Sequence, residues 1–155
     1  NSSDSIILPV ILLDTDNSSP SIILPVILSD TDKLAPIILL DIDNDSASNT
    51  ALDADGLDGF ANGAKLDIAR IQWGLTQGTA AANTGDVTIK FKGASSDTTA
   101  IRLAGTGYYD GSMGLIKNNA TNTTATSSDI LAVTRGTSGF VLIELRKDVN
   151  YTDSA

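Results

Sequence analysis

The stretch "DVTIKFKG", residues 86–93, decides how the larger part of this chain is interpreted, because apolar and polar residues alternate through it. Val87, Ile89 and Phe91 fall on one face of an extended strand, whereas Lys90 and Lys92 fall on the other. Such alternation is typical of a strand with one buried face and one solvated face. The stretch therefore predicts a half-buried β-strand.

The neighbouring stretches follow the same rule. "KLDIARIQWGL", residues 65–75, alternates on both sides of an irregularity that we expect near Ala69 and Arg70. "TAIRLAGTGYYDG", residues 99–111, predicts another strand that ends in a glycine-rich corner. Two further amphipathic strands are thus expected.

The last two apolar stretches complete the prediction of the fold class. "SDILAVTRG" (128–136) and "GFVLIELRKD" (139–148) predict a hairpin-like pair around the turn between Arg135 and Gly139. Short strands at this spacing, with few aromatic residues and many turn-forming residues, predict an all-β protein with a β-sandwich or jelly-roll-like body.

The N-terminal part of the chain contains a repeat with the pattern P-[VI]-I-L-x-D-x-D. It reads PVILLDTD from Pro9, PVILSDTD from Pro25 and PIILLDID from Pro36, at spacings of 16 and 11 residues. Proline and the β-branched residues favour an extended strand, and Asp-x-Asp is expected to end it. A strand that is apolar on both faces needs cover on both faces, so we expect these strands to insert into neighbouring subunits. The predicted assembly residues are Ile6, Ile7, Leu8, Pro9, Val10, Ile11, Leu12, Ile22, Ile23, Leu24, Pro25, Val26, Ile27, Leu28, Pro36, Ile37, Ile38, Leu39 and Leu40.

These patterns divide the chain into three parts. Residues 1–45 are predicted to form an extended N-terminal arm of three repeated donor strands. Residues 46–64, rich in small, polar and glycine residues, are predicted to be a linker or a long loop. Residues 65–155 are predicted to be the β-sandwich body. The chain has no initiator Met, so we expect it to be processed or part of a longer protein.

Charge and residue content exclude several classes of function. The net charge is −9, and residues 1–63 hold eleven acidic groups against the single Lys33. An acidic arm is repelled by phosphates, so nucleic acid is not an expected partner. The absence of cysteine and histidine excludes disulfides, thiolate or imidazole metal sites and Ser-His catalysis. The longest apolar run has eight residues, which is too short for a membrane span.

No enzymatic site is predicted. Glycosidases need two carboxylates at a set separation, and the single glutamate, Glu144, fits better as an outward strand residue or as the partner of a Lys or Arg. Trp73 together with Tyr108 and Tyr109 could form a sugar-binding patch, although a lone tryptophan in a small β domain more often belongs to the core.

Acidic turns and glycan acceptors remain as candidate sites. Asp53, Asp55 and Asp58 could bind calcium in a loose loop, or they could be solvated turn residues; no other cofactor is indicated. The N-x-[ST] acceptor pattern for covalent glycans occurs six times, in stretches predicted to be turns or ends. The six asparagines are Asn1, Asn17, Asn44, Asn119, Asn122 and Asn150.

Two resemblances bear on function. An apolar extension, residues 5–43, ahead of a β body rich in Gly, Thr and Asn resembles the architecture of donor-strand-assembled, pilin-like extracellular fibre subunits. That class has one donor strand rather than three proline-centred ones, so assembly by a chaperone and usher is not implied. Residues 68–151, with "IQWGLTQG", "AGTGYYDGSMGLIKNNA" and "GFVLIELRKDVNY", are similar to small β proteins of aquatic tailed phages. This second resemblance implies a structural role in a virion or at a surface.

The combined prediction is a structural subunit of an extracellular or virion-associated filament whose partners are other copies of itself. The alternative is a carbohydrate-binding, adhesion or capsid-decoration module that is anchored by its arm. A calcium-stabilised enzyme domain is a third reading. Either of the first two places the chain outside the cell, at the cell surface or on a virion.

Overall fold

The structure is a computed structural model that describes residues 10–14, 21–23, 37–45, 48–57, 61–78, 84–121, 128–148 and 151. Within these ranges every regular element is a strand, apart from one 3-10 turn, Ala54–Gly56. The strands are β1 (Val10–Asp14), β2 (Ser21–Ile23), β3 (Ile37–Asp45), β4 (Ser48–Leu52), β5 (Leu66–Gln77), β6 (Asp86–Phe91), β7 (Thr98–Ala104), β8 (Thr106–Tyr109), β9 (Ile130–Arg135) and β10 (Thr137–Lys147).

The strands form two sheets that share one core. The six-stranded sheet has the order β2-β1-β3-β10-β5-β8, and the four-stranded sheet has the order β4-β9-β6-β7. Neighbouring strands are antiparallel except for β1 and β3, which are parallel. Buried side chains from both sheets belong to a single cluster. The predicted all-β, sandwich-like fold is confirmed.

The alternation in β6 has the expected consequence for burial. Val87 and Ile89 are fully buried and Phe91 is 1% exposed, whereas Lys92 is exposed. The apolar face of β6 belongs to the same core cluster as Ile143 of β10, a strand of the other sheet. Burial of this face stabilises the fold, because each such side chain contributes about 1.5–3 kcal/mol on leaving water.

The irregularity predicted in β5 is a β-bulge. Glu144 pairs with Arg70 and Leu145 pairs with Ile68, so Ala69 has no opposite residue on β10. The extra residue shifts the side-chain alternation by one position. As a result Ile68 and Ile71 both point into the core, with 0% and 2% exposure.

The hairpin predicted around residues 135–139 is wrong. β9 pairs with β4 and β6, whereas β10 pairs with β3 and β5, so the chain passes from one sheet to the other between them. Gly136 turns this corner with a φ of 57°, in the left-handed region that favours glycine. The hydroxyl of Thr137 then donates to the carbonyl oxygen of Asp86 at 3.0 Å, which ties the corner to β6. Both strands bury one face in the same core, so their alternation is the same as that of a hairpin.

Strand β3 contains the third repeat and is a full member of the six-stranded sheet. It pairs with β10 over most of its length, and its residues Ile38, Leu40 and Ile42 are buried. The expectation that Asp-x-Asp ends the strand is wrong for this repeat, since β3 continues to Asp45. Asp41 is exposed and lies opposite Phe140, so the strand passes this position without burying its charge.

The predicted division of the chain into arm, linker and body does not follow the sheets at β3 and β4. It assigned β3 to the arm and β4 to the linker, but β4 pairs with β9 and its residues Ala51 and Leu52 belong to the core. Their positions had no clean alternation to indicate burial, because β3 is apolar on both faces and β4 is short and polar at its start.

Candidate functional site

The first repeat pairs with the third repeat in the same register. β1 runs parallel to β3, and its pairs run from Val10 with Ile37 to Asp14 with Asp41. When the repeats are aligned on their prolines, these are equivalent positions of the two copies. The repeat therefore recognises another copy of itself, with each residue type beside its own kind.

The second repeat begins on the other side of β1. Its residues Ile22 and Ile23 lie in β2, which pairs antiparallel with β1 over three residues. This edge of the six-stranded sheet is thus built from repeat sequences. The predicted assembly residues Ile6 to Pro9, Leu24 to Leu28 and Pro36 lie outside the described residues.

Pairing of like with like has opposite consequences for apolar and acidic positions. Ile11 lies beside Ile38, and cross-strand pairs of branched apolar residues stabilise a sheet. Asp14 lies beside Asp41, and like charges in neighbouring positions destabilise it. The register therefore combines apolar attraction with a weak electrostatic limit on stacking.

Three carboxylates meet at the N-terminal end of the 3-10 turn. Asp53, Asp55 and Asp129 each have an oxygen within 4.8 Å of the others. Asp53 accepts a hydrogen bond from the backbone N–H of Asp55 at 3.0 Å, and Asp129 accepts one from the N–H of Ala54 at 3.0 Å. The structure thus brings together two of the three predicted calcium ligands, while Asp58 lies outside the described residues.

The protein itself supplies a cation to this acidic cluster. Lys92 Nζ donates to Asp129 Oδ2 at 3.0 Å, and this bond is the main reason that the pKa of Lys92 is raised. Burial raises the pKa of the nearby Tyr151, and the charges of Asp55 and Asp129 add to this effect. The tyrosine hydroxyl donates to the carbonyl oxygen of Ala54. Calcium binding here stays a prediction, and Lys92 already compensates part of the negative charge.

Sequence reasoning missed Asp129 as a member of this cluster. It enters from the start of β9, 75 positions along the chain from Ala54, whose N–H it binds. No local pattern links two segments that far apart. The only signal was the Ser-Asp pair before an apolar stretch, which is a common turn sequence.

A groove lies on the outer face of the six-stranded sheet and has a volume of about 390 Å³. Leu142, Gln72 and Tyr108 form one cross-strand row through β10, β5 and β8. Glu144 and Arg70 form the next row, with Arg70 Nε 3.3 Å from the Glu144 carboxylate. The prediction that Glu144 pairs with a basic residue is confirmed.

The predicted patch of Trp73, Tyr108 and Tyr109 does not form one surface. Trp73 packs against the core, and its indole N–H donates to the carbonyl oxygen of Ala104 at 3.0 Å. Tyr109 also packs against the core, and its hydroxyl donates to the carbonyl oxygen of Gly114. Tyr108 points the other way and is 74% exposed. Adjacent residues on a strand face opposite sides, so Tyr108 and Tyr109 cannot share a face.

The glycan acceptors are described in part. Asn119 is exposed in the segment that follows β8. Asn44 lies in β3. The other four acceptors, Asn1, Asn17, Asn122 and Asn150, lie outside the described residues.

Two buried carboxylates serve the fold. Asp67 is 1% exposed, accepts the N–H of Asn118 at 2.9 Å and binds Lys117 Nζ at 2.6 Å. Asp86 is 2% exposed and accepts Arg102 Nε at 2.8 Å, and this hydrogen bond is the main reason that its pKa is lowered. Both carboxylates have partners, as buried charges require.

Comparison of the chain with protein-family models, with curated proteins and with solved structures gives no match. Among the described residues, no helix reaches the length and hydropathy that crossing a bilayer requires. The site geometry and the repeats are therefore the basis for a functional proposal.

Proposed function

We propose that the chain is a repeating structural subunit of an extracellular or virion-associated filament, in which N-terminal repeats of one subunit insert beside strands of the next. The observation that carries the proposal is the parallel, in-register pairing of β1 with β3. Two copies of the repeat are complementary to each other over the five residues of β1. A copy on another subunit carries the same residues and can use the same register.

The energetics of such pairing are favourable. A strand at a sheet edge offers unpaired backbone N–H and C=O groups, and an added strand satisfies them. The apolar residues of one repeat contribute several kcal/mol at about 25 cal/mol per Å² of buried area, before the entropy cost of association. The third repeat is part of the core of its own subunit, but the chain has two further repeats, so one subunit can be held by more than one contact.

The direction of the contact favours a polymer over a closed dimer. The repeats form one edge of the six-stranded sheet, and the short strand β8 forms the opposite edge. An interface between two different surfaces is head-to-tail, and it produces an open filament when its rotation does not close a ring. In an extracellular or virion setting, exposed acceptors such as Asn119 could carry covalent glycans.

The test is direct observation of assembly by the full chain. Negative-stain electron microscopy and light scattering after size exclusion should show fibres or high-mass species that grow with concentration. The double variant Ile11→Asp with Ile27→Asp should abolish them, because it places a charge in the middle of two repeats. Met113→Asp is the matched control, since Met113 is 90% exposed and remote in sequence from the repeats. A full chain that stays monomeric at high concentration contradicts the proposal.

A further inference from the structure

We propose that the groove on the outer face of the six-stranded sheet binds a neutral saccharide, with Tyr108 as its stacking platform. Carbohydrate binding was an alternative reading of the sequence, but it rested on a patch with Trp73 that does not form. The groove does not involve Trp73, and of the described repeat residues Ile37 alone lines it.

The first observation is the exposure of Tyr108. Its side chain is 74% exposed, although it lies on the regular strand β8, which pairs with β5. On the described surface, large apolar side chains exposed to this extent are rare: the others are Met113 and, to a smaller extent, Phe140. Tyr108 alone among these three lines the groove. The face of an aromatic ring is electron-rich, so it attracts the polarised C–H groups on the apolar face of a sugar ring.

The second observation is the polar set around this ring. Gln72 is the cross-strand neighbour of Tyr108, and its amide can both donate and accept hydrogen bonds. Arg70 supplies donors, and Glu144 and Asp110 supply acceptors. A vicinal pair of sugar hydroxyls needs donors and acceptors close together, and this groove offers both along two adjacent rows.

The third observation is that most of these groups stand on regular strands. Gln72 and Arg70 are on β5, Glu144 and Leu142 are on β10, and Tyr108 is on β8. Ladder hydrogen bonds set the spacing of their backbones, so ligand binding has to order side chains but not the strands that carry them. The volume of about 390 Å³ lies within the usual range for small-molecule sites.

The charges around the groove decide the class of ligand. Arg70 and Glu144 neutralise each other at 3.3 Å. Asp110 remains, and hydrogen bonds from Ser112 lower its pKa, so it is ionised at neutral pH. The resulting excess of one negative charge disfavours anionic ligands, and because these groups are largely exposed, it attracts a cation only weakly. A neutral polyol with one apolar face suits both the charge balance and the apolar floor formed by Leu142 and Ile37.

The experiment is a glycan array probed with the full-length chain, followed by calorimetry with a glycan that binds. We expect binding to neutral glycans. Tyr108→Ala should weaken affinity about tenfold, which corresponds to the upper end of the energy of one aromatic contact. Tyr108→Phe should retain most of the affinity, because the ring face is kept.

Controls separate binding from folding and from assembly. Met113→Ala removes another exposed apolar side chain and should leave affinity unchanged. Gln72→Ala should weaken binding in the same direction as Tyr108→Ala, with an unchanged unfolding temperature. The proposal is overturned if no neutral glycan binds, if only sulfated or sialylated glycans bind, or if Tyr108→Ala binds as well as the wild type. It is also overturned if Tyr108→Ala prevents assembly instead, because the groove would then receive a segment of another subunit.

Discussion

The first and third repeats have nearly the same sequence and occupy different environments. β3 lies between β1 and the central strand β10, and its residues Ile38 and Leu40 are fully buried in the core. β1 lies between β3 and the three-residue strand β2, near the edge of the sheet. The same residue pattern therefore forms both a core strand and a strand near the edge of the sheet. Since the residues of the two copies are nearly the same, the sequence of the repeat alone does not decide which copy completes the core.

The largest expected effect is a difference in the free energy of unfolding between a variant of the third repeat and the matching variant of the first. Leu40→Ala should lower the free energy of unfolding by about 3 kcal/mol, because it removes a fully buried side chain and leaves a cavity. For a chain of this size the corresponding change in Tm is roughly 6–12 °C. Leu13→Ala, at the paired position of β1 near the edge of the sheet, should lower the free energy of unfolding by less than Leu40→Ala and act mainly on assembly. Denaturant titration measures the free energy of unfolding of both variants. Equal decreases would show that both repeats are core strands.

A second prediction concerns the effect of pH on the stability of the four-stranded sheet, in which Asp86 lies at the start of β6. The pKa of Asp86 is lowered mainly by its hydrogen bond from Arg102. Its stabilising contribution is therefore present above the unfolded-state pKa of about 3.9, and it is lost as the pH falls through the lower pKa of the folded state. Unfolding midpoints in denaturant should fall below about pH 4.

The matched variant for this pH effect is Asp86→Asn. Its free energy of unfolding at pH 7 should be about 2 kcal/mol lower than that of the wild type, because a buried, charge-assisted hydrogen bond is removed. Between pH 7 and pH 3, the free energy of unfolding of this variant should fall by less than that of the wild type. Asp97→Asn, at an exposed position, serves as the control. Parallel pH profiles for Asp86→Asn and the wild type would assign the acid sensitivity to another group.

The smallest expected effect concerns the charge in the repeat register. Asp14→Asn removes one of two like charges in paired positions, which should strengthen pairing by roughly 0.5 kcal/mol. The critical concentration for assembly, measured by sedimentation, should then fall about twofold. The gain should shrink as salt is added, since salt already screens the repulsion in the wild type. A rise in critical concentration would mean that Asp14 makes a favourable contact in the filament.

Some of the fold and the site could be predicted, and the reasons differ from one residue to another. Val87, Ile89 and Phe91 were predicted to share a buried face because alternation has a period of two in any half-buried strand. The bulge at Ala69 was predicted because the alternation of β5 shifts there by one position. Asp129 could not be placed beside Asp53, because nothing local records a contact over such a distance. The groove residues Gln72 and Tyr108 are neighbours only through the pairing of β5 with β8.

The amino-acid sequence by itself determines two properties of this chain. Strand character came from alternating or β-branched apolar stretches, and the capacity of the repeats to pair came from their identity. Both are local properties, since they depend on neighbours along the chain. Only the tertiary structure decided that β9 and β10 enter different sheets, that the third repeat completes the core, and that Trp73 faces inward while Tyr108 faces solvent. The physical reason is that local pattern specifies which face of a strand is apolar, whereas the partner that covers that face is chosen by packing of the whole chain.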